Sequence, residues 1–488
     1  MPGTSERARP QPRFAGVSLA AVLGLGIVVW GVAIGLLRIH DNSFLTHLAT
    51  GRIILAHGVP SADPYSFTAR GHPWVVESWL ASVLYAEVDR LWRGHGLLLL
   101  HAATTGVLAG LVWRLTRPAG TLVGRLAAAA AALAVGTGYW TSRPLLLALL
   151  ALAVVVLAAE TDTVPAWVLV PVLWLWVQVH GSWPLALVYL GVRAVGRAVD
   201  HRALKARSLA RLGHLAGAAA AGAVLGVANP LGWHLLAYPL TVVTHHRALA
   251  HIVEWQSPSF ADPVNAVLLV ELGVALALLV IRRGSAEDAL IALVFGAAAA
   301  VASRNVPVAS LVAVPVLART LRGAGSLTGT ERRRAGAAGA LALVAVGAVL
   351  VAGALQRPEL DLHLYPVAEV QWMQQRHLVP GRVVAPDIVG NYLEYRYGRR
   401  ASVFIDDRAD MYPLAVVDAA GDLLAGRGDW SAILDRYRAS SVLWPADEPL
   451  AGLVSESPRW RVVLRDRHWV VAVRASVAEQ RAPRPAQG

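Results

Sequence analysis

The 488-residue sequence has no cysteine, which excludes disulfide bridges and thiolate metal sites. Lysine is almost missing too: Lys205 is the one lysine among 44 basic residues, the mark of a GC-rich genome more than of a designed basic surface. Charge of any kind is scarce, at 16% of residues, where a soluble protein of this length carries about 25%. What replaces it is apolar: 56% of residues are hydrophobic and the mean hydropathy is +0.51. Over the first 355 positions, apolar runs of about 20 residues recur, each long enough to cross a hydrocarbon core. The chain reads as a polytopic α-helical membrane protein.

The net charge of +12 raises the question of nucleic acid, but its distribution answers it. Basic residues crowd two short loops, with Arg193, Arg197, Arg202, Lys205, Arg207 and Arg211 in one and Arg319, Arg322, Arg332, Arg333 and Arg334 in the other. Short loops loaded this way read as cytoplasmic, so no nucleic-acid partner is expected. The start of the chain mimics a signal peptide, with Arg7, Arg9 and Arg13 before an apolar stretch. That stretch is longer than a signal h-region and no small-residue cleavage site follows, so it reads as an uncleaved first helix.

About eleven spans are expected, near 15–37, 96–114, 121–139, 145–160, 164–179, 183–200, 211–228, 263–281, 286–302, 307–320 and 336–355. The arginine asymmetry then puts the N-terminus in the cytoplasm and the C-terminal region outside. Residues 42–57 and 77–92 are too short and polar to span. In the second, Trp79, Val83, Leu84, Val88, Leu91 and Trp92 recur at helical spacing, which suits an interfacial helix in the first outer loop, 38–95. Gly31 and Gly35 form a GxxxG, read as a packing face.

From about 357 the composition changes. Residues 366–378, 387–397, 411–438 and 447–456 read as helices, "GRVVAP", "SVFI" and "SSVLWP" as strands, and "WRVVLRD" with "HWVVAVR" as a closing hairpin. The expectation is a transmembrane domain, 1–356, and a small extracytoplasmic α/β domain, 357–488, with a largely parallel sheet that folds alone and lacks catalytic activity.

With that topology, the informative polar residues collect on one face. They are His40, Asp41 and His47 after the first span, Glu77, Arg143, His180, Asn229 with His234, Glu254, and Arg304 with Asn305. Polar groups near a membrane are costly and usually line a cavity. Each also has a plainer use. His180, Asn229 and His234 could cap helix ends. The arginines could snorkel as interface anchors. Glu254 could be a solvated loop acid, and Asp41 an N-cap. In "FIDDRADMY", Asp406, Asp407, Arg408 and Asp410 follow a strand, where open α/β sheets bind ligands, although an Asp–Arg ion-pair turn would look the same.

These stretches also carry a resemblance. "DNSFLTHLATGR" and "VPSADPYSFTARGHPWVVESWLA" are similar to the first outer loop of bacterial membrane proteins of the GT-C glycosyltransferase superfamily. "SRPLLL", "VQVHGSW", "NPLGWHLLAYP", "EWQSP" and "SRNVPVASLVAVP" follow in the order seen there, and "GNYLEYRYGRRASVFIDDRADMY" resembles the outer domain. The resemblance implies a bacterial plasma-membrane enzyme. It would move sugar from a polyprenyl-phosphate donor to an extracytoplasmic glycan, lipid or protein acceptor, with inversion. It places Asp41 at the acidic position of the reaction centre. Many members have a second acid beside it; here the neighbour is Asn42, which weighs against a divalent metal, Mg or Mn. Asp41 is then the candidate general base, His40 or His47 would orient it or contact phosphate, and Glu77 completes the catalytic set. The candidate substrate-binding set is Arg143, His180, Asn229, Glu254, Arg304 and Asn305, with the arginines on phosphate. Trp74, Trp79 and Trp255 could stack on sugar rings or anchor at the interface. A transporter or lipid flippase, or a non-catalytic envelope scaffold, would also gather polar groups at a face. A flippase is expected to show broken helices and midplane charges, often in repeated halves; the sequence shows no internal repeat, and the polar groups singled out lie at one face.

Overall fold

The structure is a computed structural model that describes residues 17–200, 206–244, 252–325 and 337–475. The N-terminal arginines, Arg202, Lys205, Arg247 and Arg332, Arg333 and Arg334 lie outside the described residues. Among the described residues the chain is a helical bundle with one small sheet. Its helices are α1 (Leu19–Gly35), α2 (Asn42–His57), α3 (Trp79–Leu115), α4 (Leu122–Tyr139), α5 (Pro144–Glu160), α6 (Leu169–Val179) and α7 (Pro184–Val199). They continue with α8 (Ala206–Leu225), α9 (Trp233–Thr244), α10 (Pro263–Ile281), α11 (Ala286–Val301), α12 (Val306–Thr320) and α13 (Ala337–Ala354). Each of the eleven segments expected to span overlaps a helix. Four stretches are long and apolar enough to cross a membrane: Trp79–Ala119, Leu122–Tyr139, Ser208–Leu225 and Pro263–Ile281. Leu19–Gly35, Pro144–Glu160, Ala166–Val179 and Ala338–Ala354 are shorter apolar helices. The bundle is that of a helical membrane protein.

Small residues set the closest packing. A Cβ at Gly31 would fall 2.7 Å from the Thr105 carbonyl oxygen, and one at Gly35 2.5 Å from the Ala102 Cα. The GxxxG face of α1 therefore lies against α3, as expected. At the ends of α5, α7 and α12, and at the start of α11, buried charges form a knot. Glu160 accepts from Arg193 Nη1 (2.7 Å) and from Arg319 Nη1, while Glu287 binds Arg193 and Arg197 (2.9 Å) and Asp288 binds Arg319. Arginines of both basic clusters, Arg193 and Arg197 of one and Arg319 of the other, thus tie four helices together.

The segment 38–95 is folded into the core of the protein. Residues 79–92 form a helix, as expected, which a non-helical break at Arg93 (φ 59°, ψ −163°) separates from the helix that follows; the two are numbered together as α3. Ala81, Ser82, Tyr85 and Ala86 of the first of these are buried, leaving Leu91 and Trp92 exposed. α2 is packed within the protein: Phe44, Leu45, Leu48, Ala49, Ile53 and Ile54 are all buried, on more than one face. It packs on α3 through Gly51, which meets the Ser82 backbone, and its other side meets the C-terminal α/β domain.

That domain comprises α14 (Val367–Gln375), β1 (Val383–Val384), α15 (Asp387–Tyr397), α16 (Leu414–Ala425), α17 (Trp430–Arg436), β2 (Ser441–Pro445), α18 (Pro449–Glu456), β3 (Trp460–Arg465) and β4 (Trp469–Arg474). The sheet order is β1-β2-β4-β3, with β1/β2 parallel and both pairs of β4 antiparallel. It is mixed rather than largely parallel, because the closing hairpin inserts β4 beside β2. The expected strand "SVFI" contributes only bridges, Val403 meeting both Val383 and Ser66 in parallel.

The core of this domain does not respect the boundary at 357. Leu45, Ala49, Tyr65, Trp74 and Val76 pack in one buried cluster with Tyr392, Phe404, Val442 and Val471. A buried Arg408 fixes the join: its guanidinium binds Asp406 (2.6 Å) and Asp63 of the first loop (2.8 Å), with Glu394 at 3.4 Å. Glu394 in turn accepts from Thr46 (2.7 Å). Fragment 357–488 expressed alone is therefore expected to lack a cooperative thermal transition, because those apolar faces and Asp406–Arg408 would meet water. Covalently appending residues 42–76 should restore it, as followed by near-UV circular dichroism.

Candidate active site

A cavity of about 740 Å³ lies where the ends of α5, α6, α9, α11 and α12 meet α2 and the outer domain. Local sequence explains its polar lining. Arg143 precedes Pro144, so its backbone is extended (φ −92°, ψ 158°) and it stands just outside α5. His180 ends α6 in extended conformation before the turn into α7. Arg304 and Asn305 sit in a 3-10 turn, Ser303–Asn305, between α11 and α12. Ser303 is tied to the loop carrying Glu254 and Trp255, its N–H donating to Gln256 (2.9 Å) and its hydroxyl to the Glu254 carbonyl (3.1 Å).

Of the sequence candidates, His47, Glu77, Arg143, His180, Glu254, Arg304 and Asn305 line this one cavity. Arg143 is gripped by Asp41 and Glu254. Arg304 lies flat over the Trp255 ring, 4.1 Å from its centroid, and has no hydrogen bond or carboxylate partner among the described residues. Glu77 accepts from the Gly181 N–H (2.7 Å), and Asn305 donates to the Ala298 carbonyl at the end of α11 (2.9 Å).

Three candidates are placed otherwise. Asp41 has both oxygens engaged: Oδ1 caps α2 at the Ser43 N–H (3.1 Å), and Oδ2 binds Arg143. Its side chain is 4% exposed. The cap role weighed from sequence is filled, and Asp41 holds the arginine rather than the open cavity. His40 is exposed, bonded to the Arg38 carbonyl (3.2 Å), and does not line the cavity. Asn229 turns its amide to its own loop, binding the carbonyls of Gly226 (2.6 Å) and Gly232 (3.1 Å) and the Leu231 N–H (2.6 Å). That is a turn lock, and His234 likewise bonds the Leu231 carbonyl (3.2 Å).

The two histidines that do face the cavity are neutral at physiological pH. Burial pushes His47 down to about 4, against the opposing charge of Glu77, and burial with the charge of Arg304 takes His180 down to about 3. They serve as hydrogen-bonding groups, to Ser82 (3.2 Å) and Ser182 (2.8 Å), rather than as cations for phosphate. Of the tryptophans, Trp74 and Trp255 line the cavity, whereas Trp79 donates to Gln178 (3.0 Å) away from it.

The outer domain supplies the rest. Asp387, Asp407 and Asp410 reach the same cavity, at the carboxyl ends of β1 and of the Val403 bridge. Tyr238 of α9 donates to Asp410 (2.9 Å), and burial raises the Asp410 carboxyl. "FIDDRADMY" is thus both things at once: Asp406 and Arg408 are the ion-pair turn, while Asp407 and Asp410 face the site. Strand-end position singled out this motif; nothing local linked it to Glu77 or Arg143. Among the described residues no group of three or more His, Asp or Glu side chains has an arrangement suited to a metal ion. No family model matches the chain, and no curated protein matches it.

Proposed function

We propose that the chain is a GT-C-type membrane glycosyltransferase crossing the bacterial plasma membrane about eleven times, with its N-terminus in the cytoplasm and its α/β domain outside. It takes a sugar from a polyprenyl-phosphate donor and passes it to an extracytoplasmic glycan, lipid or protein. The observation that carries this reading is Arg304: a guanidinium in a partly desolvated cavity, stacked on Trp255 and without an anionic partner among the described residues. Such a group calls for an anion. Arg143 stands in the same cavity, already oriented by Asp41 and Glu254. An apolar wall of Leu145, Leu185, Val188, Val242 and Ile252 adjoins them, which suits a phosphate attached to a hydrocarbon chain. The carboxylates opposite suit hydroxyl-rich ligands and proton transfer.

Single displacement would break the bond between the anomeric carbon and the phosphate oxygen while the acceptor oxygen bonds to that carbon from the other side. The polyprenyl phosphate leaves with the electron pair, its growing charge met by the two arginines. The test is transfer by the purified protein in lipid nanodiscs, with polyprenyl-phosphate-linked hexoses and pentoses and cell-envelope acceptors. Release of polyprenyl phosphate with labelled product supports the reading. Intact donor throughout, with donor crossing the bilayer of proteoliposomes, overturns it in favour of a flippase.

A further inference from the structure

We propose that the acceptor is deprotonated by Asp407 of the outer domain, and that Asp41 is a positioning residue that aims Arg143. This rests on the glycosyl-transfer reading and goes beyond it in naming the base. Most carboxylates lining the cavity are committed. Asp406 binds Arg408 and accepts from Tyr412 (2.6 Å), Glu254 binds Arg143, Asp410 accepts from Tyr238, and Glu77 is held at one oxygen by Gly181. Asp387 stands in the first turn of α15, where its charge faces helix N–H groups. Among the described residues Asp407 has no ion pair; it is half-buried, accepts from the Ser43 hydroxyl, and lines the cavity. Its backbone is fixed from the side, its N–H donating to Asn391 (3.2 Å), so the carboxyl is presented rather than loose.

The groups facing Asp407 are Asp406, paired with Arg408, from its own loop, Asp387 from α15, the Ser43 hydroxyl from α2, and Arg143 before α5. Burial and the charge of Asp406 push it up to about 6, while Arg408 holds Asp406 below the usual range despite its burial. Two neighbouring carboxyls whose affinities for a proton are driven apart are the usual arrangement of a structural acid beside a catalytic one. In the step, the acceptor hydroxyl proton passes to an Asp407 carboxylate oxygen as the acceptor oxygen bonds the anomeric carbon; the proton then leaves to water. The base works ionised, so turnover falls as pH drops through about 6.

The experiment compares Asp407→Asn, Asp407→Glu, Asp41→Asn and Glu77→Gln in nanodiscs. Readouts are transfer against pH, thermal stability and binding of farnesyl phosphate. Asp407→Asn is expected to lower kcat by about 10²-fold or more and remove the acid limb, with folding and farnesyl phosphate affinity unchanged. Asp407→Glu should recover part of the rate. Asp41→Asn, which keeps the cap, should weaken farnesyl phosphate binding yet retain the acid limb. Retention of the wild-type kcat and acid limb by Asp407→Asn, or loss of the acid limb in Asp41→Asn or Glu77→Gln instead, overturns the assignment and leaves glycosyl transfer standing. A wild-type protein that transfers no sugar overturns both.

Discussion

Replacing Arg304 by alanine is expected to lower kcat/KM for transfer by about 10²–10³-fold. The side chain meets the cavity with no ion pair or hydrogen bond among the described residues, Glu77 and Asp410 acting on it only through space, so an anionic ligand gains from it without displacing a bound carboxylate. Arg143 differs, because a ligand must share it with Asp41 and Glu254. Arg304→Lys should recover little. An ammonium neither stacks flat on Trp255 nor offers the two-pronged donor face that suits phosphate. The readouts are steady-state transfer and calorimetric binding of farnesyl phosphate. Wild-type affinity in Arg304→Ala would remove the arginine from the phosphate site and with it the main support for the functional reading.

The other large effect is on stability. Arg408→Met should destabilise the join between the outer domain and the first loop by about 3–5 kcal/mol, because Asp63 and Asp406 are then buried without a cation. Its guanidinium also lies over Trp74, 4.3 Å from the ring centroid, so packing is lost with the charge. In nanodiscs the thermal midpoint of that region should fall on the order of 10 °C. Adding Asp63→Asn and Asp406→Asn should recover part of the loss, since the uncompensated charges go too. Equal midpoints in the single and triple variants would mean that packing alone accounts for the role of Arg408.

Much of the bundle was legible because each apolar run is bounded by turn residues or arginines. α15 was read at its observed limits from the helical run after "VAP". Seven of the ten named site candidates line one cavity, since residues that end successive spans on one side must share a face. What stayed hidden depends on contacts without a local pattern. Asp63 and Arg408 are 345 residues apart, and no periodicity in either stretch announces their pairing. Likewise nothing in the sequence of α2 announces that Thr46 meets Glu394, 348 residues away. Asp41 was legible as an important acid but not as which kind, because a cap, an ion partner and a base have the same side chain. Asn229 misled for a related reason: an amide beside Pro230 and Gly232 locks its own turn, which is a local property that looks like a cavity residue once topology is applied.

The knot of Glu160, Arg193, Glu287, Asp288 and Arg319 has a mechanical consequence for how the cavity admits anything. It pins α5, α7, α11 and α12 together at the ends remote from Arg143, His180 and Arg304. Rods fastened at one end are free to move mainly by fanning. The 17-residue α5 is about 25 Å long, so a tilt of about 5° about the knot shifts its far end by about 2 Å. The knot acts as a fulcrum: small angular motions there become displacements of about 2 Å at the opposite ends of the helices, beside the cavity, while the knotted ends stay together.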